Sequence, residues 1–188
     1  SACLVGSEMC IRDSLGHDPE LFNDSVENNV LLGDSKNSDT YLNAACMKQE
    51  VAEMIDGKNT LIGSGGAYLS GGQAKRLAFA RTLCHDKPIL ILDDPFSALD
   101  KNTEKQAFVN LQALAKDSIV LLISHRLYLF PEMDGVIWME NGKAVTGTHE
   151  ELLKTVPEYK SLYTSQVHTT ENGGAEHDAQ KTSENGDL

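Results

Sequence analysis

A glycine-rich stretch, Leu69 to Gln73, has the residue types that bind an anion such as phosphate. A helix that opens at Ser70 is predicted, because apolar residues recur at helical spacing behind this stretch. A helix N-terminus exposes unpaired N–H groups at the positive end of the peptide dipole, and glycines let such a backbone approach a ligand closely. The predicted phosphate site consists of Ser70, Gly71, Gly72 and Gln73. A bare S-G-G also fits an ordinary loop and helix cap, so the rest of the chain must decide.

Two carboxylates follow a short apolar run. Ile89 to Leu92 is fully apolar and is followed by Asp93 and Asp94. Such a run predicts a buried strand of a parallel sheet, and open α/β sheets bind their ligands at the carboxyl ends of the strands. A carboxylate at that position can hold a Mg²⁺ ion that bridges phosphates. The simpler alternative is a strand-end aspartate that caps a turn.

A histidine and a third aspartate complete the candidate chemistry. His125 follows a second apolar run, Ile119 to Ile123, after one serine. Neutral imidazole can donate a hydrogen bond to a phosphate oxygen or to water, although a lone histidine is more often structural. Asp100 ends the stretch Ser97-Ala98-Leu99-Asp100 and can also cap the helix predicted after it.

The order of these motifs resembles that of the ATP-binding cassette (ABC) ATPases, over roughly Gly16 to Tyr163. Leu69 to Gln73 is similar to their signature motif, and Ile89 to Asp93 is similar to their Walker B strand. Ser97 to Asp100 is similar to their D-loop, and His125 to their switch histidine. The resemblance implies an α/β fold with a P-loop NTPase-like parallel sheet core, part of the helical signature subdomain, and an incomplete N-terminal side.

The same resemblance implies roles for single residues, with ATP and Mg²⁺ as cofactors. Asp93 is expected to hold Mg²⁺, Asp94 to act as general base on the attacking water, and His125 to meet the γ-phosphate. The signature residues and Asp100 are expected to contact nucleotide. His17 stands where the family has the glutamine of its Q-loop, which touches metal and water and relays their state to the membrane domain. The alternative for His17 is an ordinary surface histidine.

Asp94 departs from the family pattern, in which glutamate is usual at this position. The aspartate stem is one methylene shorter, and a base must come within about 2.6–3.2 Å of the group whose proton it takes. A misplacement near 1 Å can cost on the order of a hundredfold in rate. We therefore expect the composite site that contains Asp94 to hydrolyse ATP slowly.

Family members work as two cassettes that face each other head to tail. An intact signature beside a weakened base favours a heterodimer, in which Leu69 to Gln73 completes the competent site of a second, different cassette. In that arrangement Asp93, Asp94 and His125 lie in the slow site. A homodimer with a slow aspartate base gives the same sequence pattern and stays open.

The chain contains no Walker A motif, because neither Gly57-Lys58 nor Gly142-Lys143 has P-loop spacing. We expect the parent protein to continue upstream into the rest of the cassette and a fused transmembrane domain, and this fragment alone to be inactive. Residues 1–13 are interpreted as a non-native, adapter-derived segment. Residues 14–164 are the expected C-terminal part of the ABC ATPase domain, and residues 165–188 are expected to be a disordered acidic tail.

Composition limits the partners and the compartment. The 188 residues carry a formal net charge of −12, which argues against nucleic acid as a partner. The four cysteines show no C-x-x-C spacing, so neither a zinc site nor a disulfide framework is indicated. The apolar runs are too short to cross a membrane. The expected location, the cytoplasmic face of the cell membrane, therefore depends on the transmembrane domain expected upstream.

Two helices are predicted before the signature. The first has its cap within Asp24–Ser25 and runs to Leu32. The second runs from about Thr40 to Ile55 with its cap within Ser38–Asp39. Its buried face is predicted to carry Ala44, Met47, Val51, Met54 and Ile55.

A hairpin and a further helix are predicted near the C-terminus. Asn141-Gly142 lies between two apolar runs and is a strong signal for a two-residue hairpin turn. Thr148 and Glu151 have the spacing of a capping box that opens a helix.

Three functions fit this pattern, and the preferred one is the cassette of an exporter, where ATP-driven dimerisation powers transmembrane transport. The second is a non-catalytic cassette half that only senses nucleotide, which Asp94 keeps open. The third is a soluble ABC ATPase of DNA repair or chromosome organisation. Such proteins place long coiled coils between Q-loop and signature, and His17 and Ser70 are too close in sequence for that.

Overall fold

The chain folds into two compact units, Ser1–Ser124 and His125–Leu188. The computed structural model describes residues 12–16, 19–63, 68–97 and 99–172. The described elements of the first unit are β1 (Arg12–Leu15), α1 (Val26–Leu31), α2 (Ser38–Ala44), α3 (Lys48–Ala52), a 3₁₀ turn (Gly57–Asn59), α4 (Gly71–Cys84), β2 (Ile89–Asp93), α5 (Lys101–Leu114) and β3 (Ile119–Ile123). Those of the second unit are a 3₁₀ helix (Leu127–Glu132), β4 (Val136–Glu140), β5 (Lys143–Gly147), α6 (His149–Thr155) and α7 (Pro157–Asn172).

The first unit is built on a parallel sheet in the order β1-β2-β3, with β2 in the middle. Leu90 of β2 stands opposite Asp13 of β1 and Val120 of β3. Leu90 and Leu92 are buried in the core, as the apolar run predicts. The predicted α/β fold with a parallel sheet is confirmed.

The strand β3 has one solvent-facing side. Ile119, Leu121 and Ile123 are 63 %, 44 % and 52 % exposed, and they alternate along the strand with half-buried neighbours. Side chains on a strand alternate between the two faces of the sheet. The apolar run of β3 therefore has side chains on both faces of the sheet, and the described residues partly cover only one of those faces.

The helix predicted from Thr40 to Ile55 is wrong as a single element, because the chain breaks there into α2 and α3. Asn37, not Ser38 or Asp39, caps α2, since its side chain accepts the Asp39 N–H at 3.0 Å. Between the helices Cys46 takes a left-handed conformation with φ of +55°, which an α-helix cannot continue through. Ile55, predicted to be buried, is 99 % exposed because α3 ends before it.

The buried face predicted for this region is otherwise present. Ala44, Met47 and Val51 are buried, while Met54 is half-buried. The helix predicted to end at Leu32 is found as α1, with Ser25 as its cap. Ser25 accepts the Asn28 N–H at 3.0 Å.

The second unit has its own core beneath the β4–β5 hairpin. Asn141 and Gly142 form the turn with φ values of +49° and +73°, as the hairpin prediction requires. Thr148 and Glu151 form the predicted capping box at the start of α6. The core cluster is Leu127, Val136, Leu152, Val156 and Tyr159.

Two predicted boundaries differ from the structure. The helix α7 continues to Asn172, eight residues into the predicted disordered tail of residues 165–188. Its Gln166 accepts the Leu127 N–H at 2.9 Å and donates to the His125 carbonyl at 2.7 Å, and these bonds hold the helix in the second unit. Arg12 and Asp13, which belong to the segment interpreted as non-native, lie in β1 and pair with β2. Parallel pairing needs backbone groups rather than particular side chains. Residues 1–11 and 173–188 lie outside the described residues.

Candidate functional site

The signature stretch opens α4 through a capping box. The Ser70 hydroxyl accepts the Gln73 N–H at 3.2 Å, and the Gln73 side chain accepts the Ser70 N–H at 2.9 Å. Gly71 and Gly72 therefore form the first turn, where N–H groups have no partner within the helix. Ser70 and Gly71 are exposed, so this turn is accessible to a ligand. The helix predicted from the apolar spacing is confirmed, with Leu77, Ala80, Leu83 and Cys84 buried.

A carboxylate on α3 holds this turn from the side. Gln73 donates its side-chain amide to Glu50 at 3.1 Å, and Arg76 pairs with both oxygens of Glu50 at 2.6 and 2.9 Å. Arg76 also donates to the carbonyls of Cys46 at 3.2 Å and Gly72 at 3.4 Å. Burial raises the pKa of Glu50, but the bonds from Arg76 and Gln73 outweigh it, so the pKa lies below its usual value. The sequence gives no signal for this pairing, because Glu50 and Arg76 are 26 residues apart.

The two carboxylates lie at the carboxyl end of β2, as predicted. Asp93 is the last residue of the strand, and Asp94 leaves it in a left-handed conformation with φ of +47°. The Asp94 N–H donates to the carbonyl of Ile123 at the end of β3, at 2.8 Å. Aspartate is among the few residues that tolerate this conformation.

A buried lysine links the signature helix to this strand end. Lys75 of α4 is 7 % exposed. Its ammonium donates to the Ser97 hydroxyl at 2.9 Å and to the Asp94 carbonyl at 3.4 Å. This residue was not predicted, and its only available signal is a lysine on the helix face that carries buried Ala78 and Phe79.

Asp100 caps α5, as predicted. Its side chain accepts the N–H groups of Asn102 at 3.0 Å and Thr103 at 3.1 Å, as well as the Thr103 hydroxyl. The bonds from Thr103 lower the pKa of Asp100 below its usual value. A cavity of about 480 Å³ joins this cap to the signature helix, and it is lined by Asp100, Arg76, Glu50 and Cys46 together with Leu99, Asn102, Thr103 and Gln106.

Arg81 of α4 holds the segment that follows the Q-loop position. It donates to the carbonyl and side-chain oxygens of Asn29 at 2.7 and 2.9 Å, and to the Glu20 carbonyl at 2.9 Å. Its guanidinium also lies 4.9 Å from the centre of the Phe22 ring. His17 itself lies outside the described residues.

His125 belongs to the second unit and starts it. Its carbonyl accepts the Gln166 amide at 2.7 Å, which ties the segment after β3 to α7. The structure thus places Ser70 to Gln73, Asp93, Asp94 and Asp100 in the first unit, at the N-termini of α4 and α5 and at the end of β2.

The carboxylate pair suits magnesium bound with a phosphate ligand. Magnesium prefers oxygen ligands and commonly takes one or two carboxylates, with the other positions filled by water and substrate phosphates. Over the described residues, no group of three or more His, Cys, Asp or Glu side chains comes together as a metal site of protein ligands alone. Asp93, at the end of β2, fits a magnesium site in which one or two carboxylates are joined by water and phosphate oxygens.

Comparisons with known proteins agree with this geometry. Residues 12–97 match the ABC transporter family. The chain is 40 % identical over 156 residues to the ATP-dependent lipid A-core flippase of Burkholderia thailandensis, a match that covers 81 % of this chain and 26 % of the flippase. The flippase of Alkalilimnicola ehrlichii is 41 % identical over 152 residues, covering 78 % of this chain and 26 % of that protein. The chain spans about a quarter of the length of these curated relatives.

A solved structure is similar as well. It is a bacterial Atm1-family ABC exporter with ATP bound, with a TM-score of 0.75 and 30 % sequence identity over 84 % of this chain and 29 % of that one. Within the described part of the chain, no helix is both long and apolar enough to span a membrane. The matched residues, the parallel sheet and the capped signature turn agree, and the chain belongs to the ABC transporter family as part of a nucleotide-binding domain of the exporter type.

Proposed function

We propose that this chain is the C-terminal part of the ATP-binding and ATP-hydrolysing domain of an ABC exporter. The observation that carries the proposal is the attachment of the capped signature turn at Ser70 to the end of β2 through a single helix, α4. This arrangement supports two phosphate-facing elements within one compact unit. Transport is powered by ATP-driven closure of two cassettes and reopening after hydrolysis.

The residues divide the proposed chemistry between two nucleotide sites. Asp93 would hold Mg²⁺, which neutralises charge on the phosphates when bound. Asp94 takes the proton of the attacking water, and His125 donates a hydrogen bond to the γ-phosphate. Ser70, Gly71, Gly72 and Gln73 contact the ATP held by the second cassette. Asp100 and His17 complete the contacts to nucleotide from the D-loop and Q-loop positions.

The first experiment measures ATP hydrolysis by the full-length protein from the source organism, purified in lipid. When no second, different cassette is present, we expect slow turnover in the wild type and a rise of about tenfold or more in Asp94→Glu, because the longer stem brings the carboxylate within reach of the water. Asp94→Asn removes the base, and Asp117→Asn at an exposed site serves as the matched control with unchanged turnover.

The outcomes separate the functions. Hydrolysis by Asp94→Glu but not by the wild type favours a cassette half that only senses nucleotide. No hydrolysis by either protein, with ATP binding retained, contradicts the ATPase proposal. The soluble repair-type alternative is disfavoured by the three short helices between residues 26 and 52, which leave no coiled coil in that described segment.

We further propose a second, different cassette as partner and a transmembrane domain upstream, which would place this domain at the cytoplasmic face of the membrane. In a heterodimer, Ser70→Arg blocks the partner's competent site and abolishes most of the total hydrolysis, whereas Asp94→Asn leaves most of it. In a homodimer both changes lower hydrolysis to a similar extent. Measuring both variants in the natively purified assembly decides between the two.

A further inference from the structure

Lys75 is buried in the first unit, and the polar partners that it has among the described residues are uncharged. It lies two residues after Gln73 on α4 and is 7 % exposed. An ammonium removed from water is costly unless it keeps hydrogen-bond partners. Here the partners are the Ser97 hydroxyl at 2.9 Å and the Asp94 carbonyl at 3.4 Å. Both lie in the segment that leaves β2, so the ammonium joins that segment to the signature helix.

The Lys75 ammonium donates to the backbone carbonyl of Asp94, which lies in a turn whose conformation sets the direction of the Asp94 side chain. The φ of +47° at Asp94 is sparsely populated for residues other than glycine. The turn is held at its N–H by the Ile123 carbonyl at 2.8 Å and at its C=O by the Ser97 N–H at 3.3 Å. Lys75 donates to the same carbonyl and to the side chain of Ser97, so it closes the turn from a different helix.

We propose that Lys75 is a positioning residue of the ATPase, which holds the Asp94 turn and Ser97 against the signature helix. The proposal rests on the proposed function. Under that function, the signature turn contacts ATP bound to the second cassette, whereas Asp94 acts on ATP bound to its own cassette. Lys75 then makes the position of the general base depend on the position of the signature helix, and so links the two nucleotide sites within one chain.

The alternative is that Lys75 only fills space beneath α4. Two substitutions separate the roles. Lys75→Met keeps an unbranched apolar stem of similar volume but has no donor. Lys75→Gln keeps an N–H donor on a side chain one bond shorter, at a cost in packing. A space-filling role is served better by methionine, and a positioning role is served better by glutamine.

The experiment measures kcat and KM for ATP hydrolysis by the full-length protein in lipid. It is made in the wild type and repeated in Asp94→Glu, both without a second, different cassette, so that every hydrolysing site contains the base at position 94. We expect Lys75→Met to lower kcat about tenfold with KM within about twofold, because the base is misplaced while phosphate binding is kept. Lys75→Gln is expected to retain more of the wild-type kcat than Lys75→Met, although it unfolds at the same or a lower temperature. Lys105→Met, at an exposed position of α5, is the matched control.

Each result decides a separate point. A kcat within about twofold of the parent in folded Lys75→Met overturns the inference and leaves the proposed function standing. A kcat that follows thermal stability, with methionine above glutamine, also overturns it. If Lys75→Met does not fold, Lys75→Gln alone must lower kcat with KM unchanged. Absence of hydrolysis in both parent proteins contradicts the proposed function and the inference with it.

Discussion

Single residues around the signature turn hold its geometry through long-range bonds. Glu50 contacts Gln73 and Arg76 at once, so one carboxylate fixes the second half of the signature and the helix behind it. Arg76 has the planar, two-pronged donor geometry that matches a carboxylate. The signature turn is therefore ordered by a residue about twenty positions earlier in the chain.

Replacing Glu50 with glutamine should loosen the signature turn and change its response to acid. The pKa of Glu50 is lowered in the folded state, so its stabilisation is complete above its ordinary value of about 4.5 and is lost as the pH falls below that value. The Glu50 side chain is 36 % exposed, and solvent screening limits the effect to about 1 kcal/mol. Hydrogen exchange of the signature amides in the full-length protein, corrected for intrinsic rates, measures it.

At pH 6, Glu50→Gln is expected to lower the local opening free energy relative to the wild type, and at pH 3 the difference between the two proteins is expected to be smaller. Glu53→Gln, an exposed glutamate at the end of the same helix, is the control. A difference of equal size at both pH values contradicts the assigned cause.

At the scale of the element, caps determine where the helices of the first unit begin. Ser70, Asp100 and Ser25 each accept N–H groups of a first turn. The sequence predicts Asp100 as a cap, Ser25 as one of two candidates beside Asp24, and a helix that opens in the signature stretch. A cap is a local signal, because residue type and the next three positions determine it. The break at Cys46 was not predicted, because the periodicity of apolar residues continues across it. Buried residues flank this break, namely Ala44, Ala45 and Met47, and the apolar pattern does not encode the turn between them.

Removing the side-chain cap of α5 tests how much this cap stabilises the first turn of the helix. Asp100→Ala should cost about 1 kcal/mol of local stability, since two N–H groups of the first turn lose their acceptor. Amide exchange at Asn102 and Thr103 should then be about fivefold faster, with little change in the second half of the helix. Asp117→Ala, at an exposed position beyond the end of α5, should leave these rates unchanged. Equal acceleration along all of α5 would show that Asp100 supports packing rather than the cap.

At the scale of the whole molecule, the two units are stabilised by different kinds of packing. The first is a parallel sheet with helices, and its class followed from two apolar runs tipped by polar residues. The second is a hairpin packed on aromatic side chains, where the His149 ring lies 5.6 Å from that of Tyr159 and 4.6 Å from that of Tyr163. The hairpin and the helix cap were predictable from local sequence, but the aromatic core and the extension of α7 depend on contacts between residues far apart.

The second unit should lose stability in mild acid because of His149. Its Nδ1 lies 2.6 Å from the Tyr159 hydroxyl, and burial lowers the pKa of His149, with Glu150 opposing the shift. Burial also raises the pKa of Tyr159 to about 12, so this hydroxyl stays neutral. The unfolded chain binds a proton more readily than the folded one, so stability is complete above about pH 6.5 and falls as the pH drops below it.

Hydrogen exchange in β4 between pH 7 and pH 5.5 measures this loss. His149→Gln should remove most of the pH dependence of the opening free energy in the second unit. Amides of α4 report the first unit, where the pKa of His85 is also lowered by burial, and their response should not change in the variant. The same pH dependence in β4 of wild type and variant would assign the effect to another group.

The exposed apolar side of β3 affects the solubility and the lifetime of this polypeptide in a cell. Ile119, Leu121 and Ile123 form an apolar row on the last strand of the described sheet, beside backbone groups that can pair with another strand. Such a segment, with strong β-propensity and no charge, is a template for self-association and a target for chaperones that bind exposed apolar segments. Ribosomal synthesis of these residues without a covering layer would therefore direct the product towards inclusion bodies or degradation, and co-expression with the sequence that packs on that row should restore its lifetime.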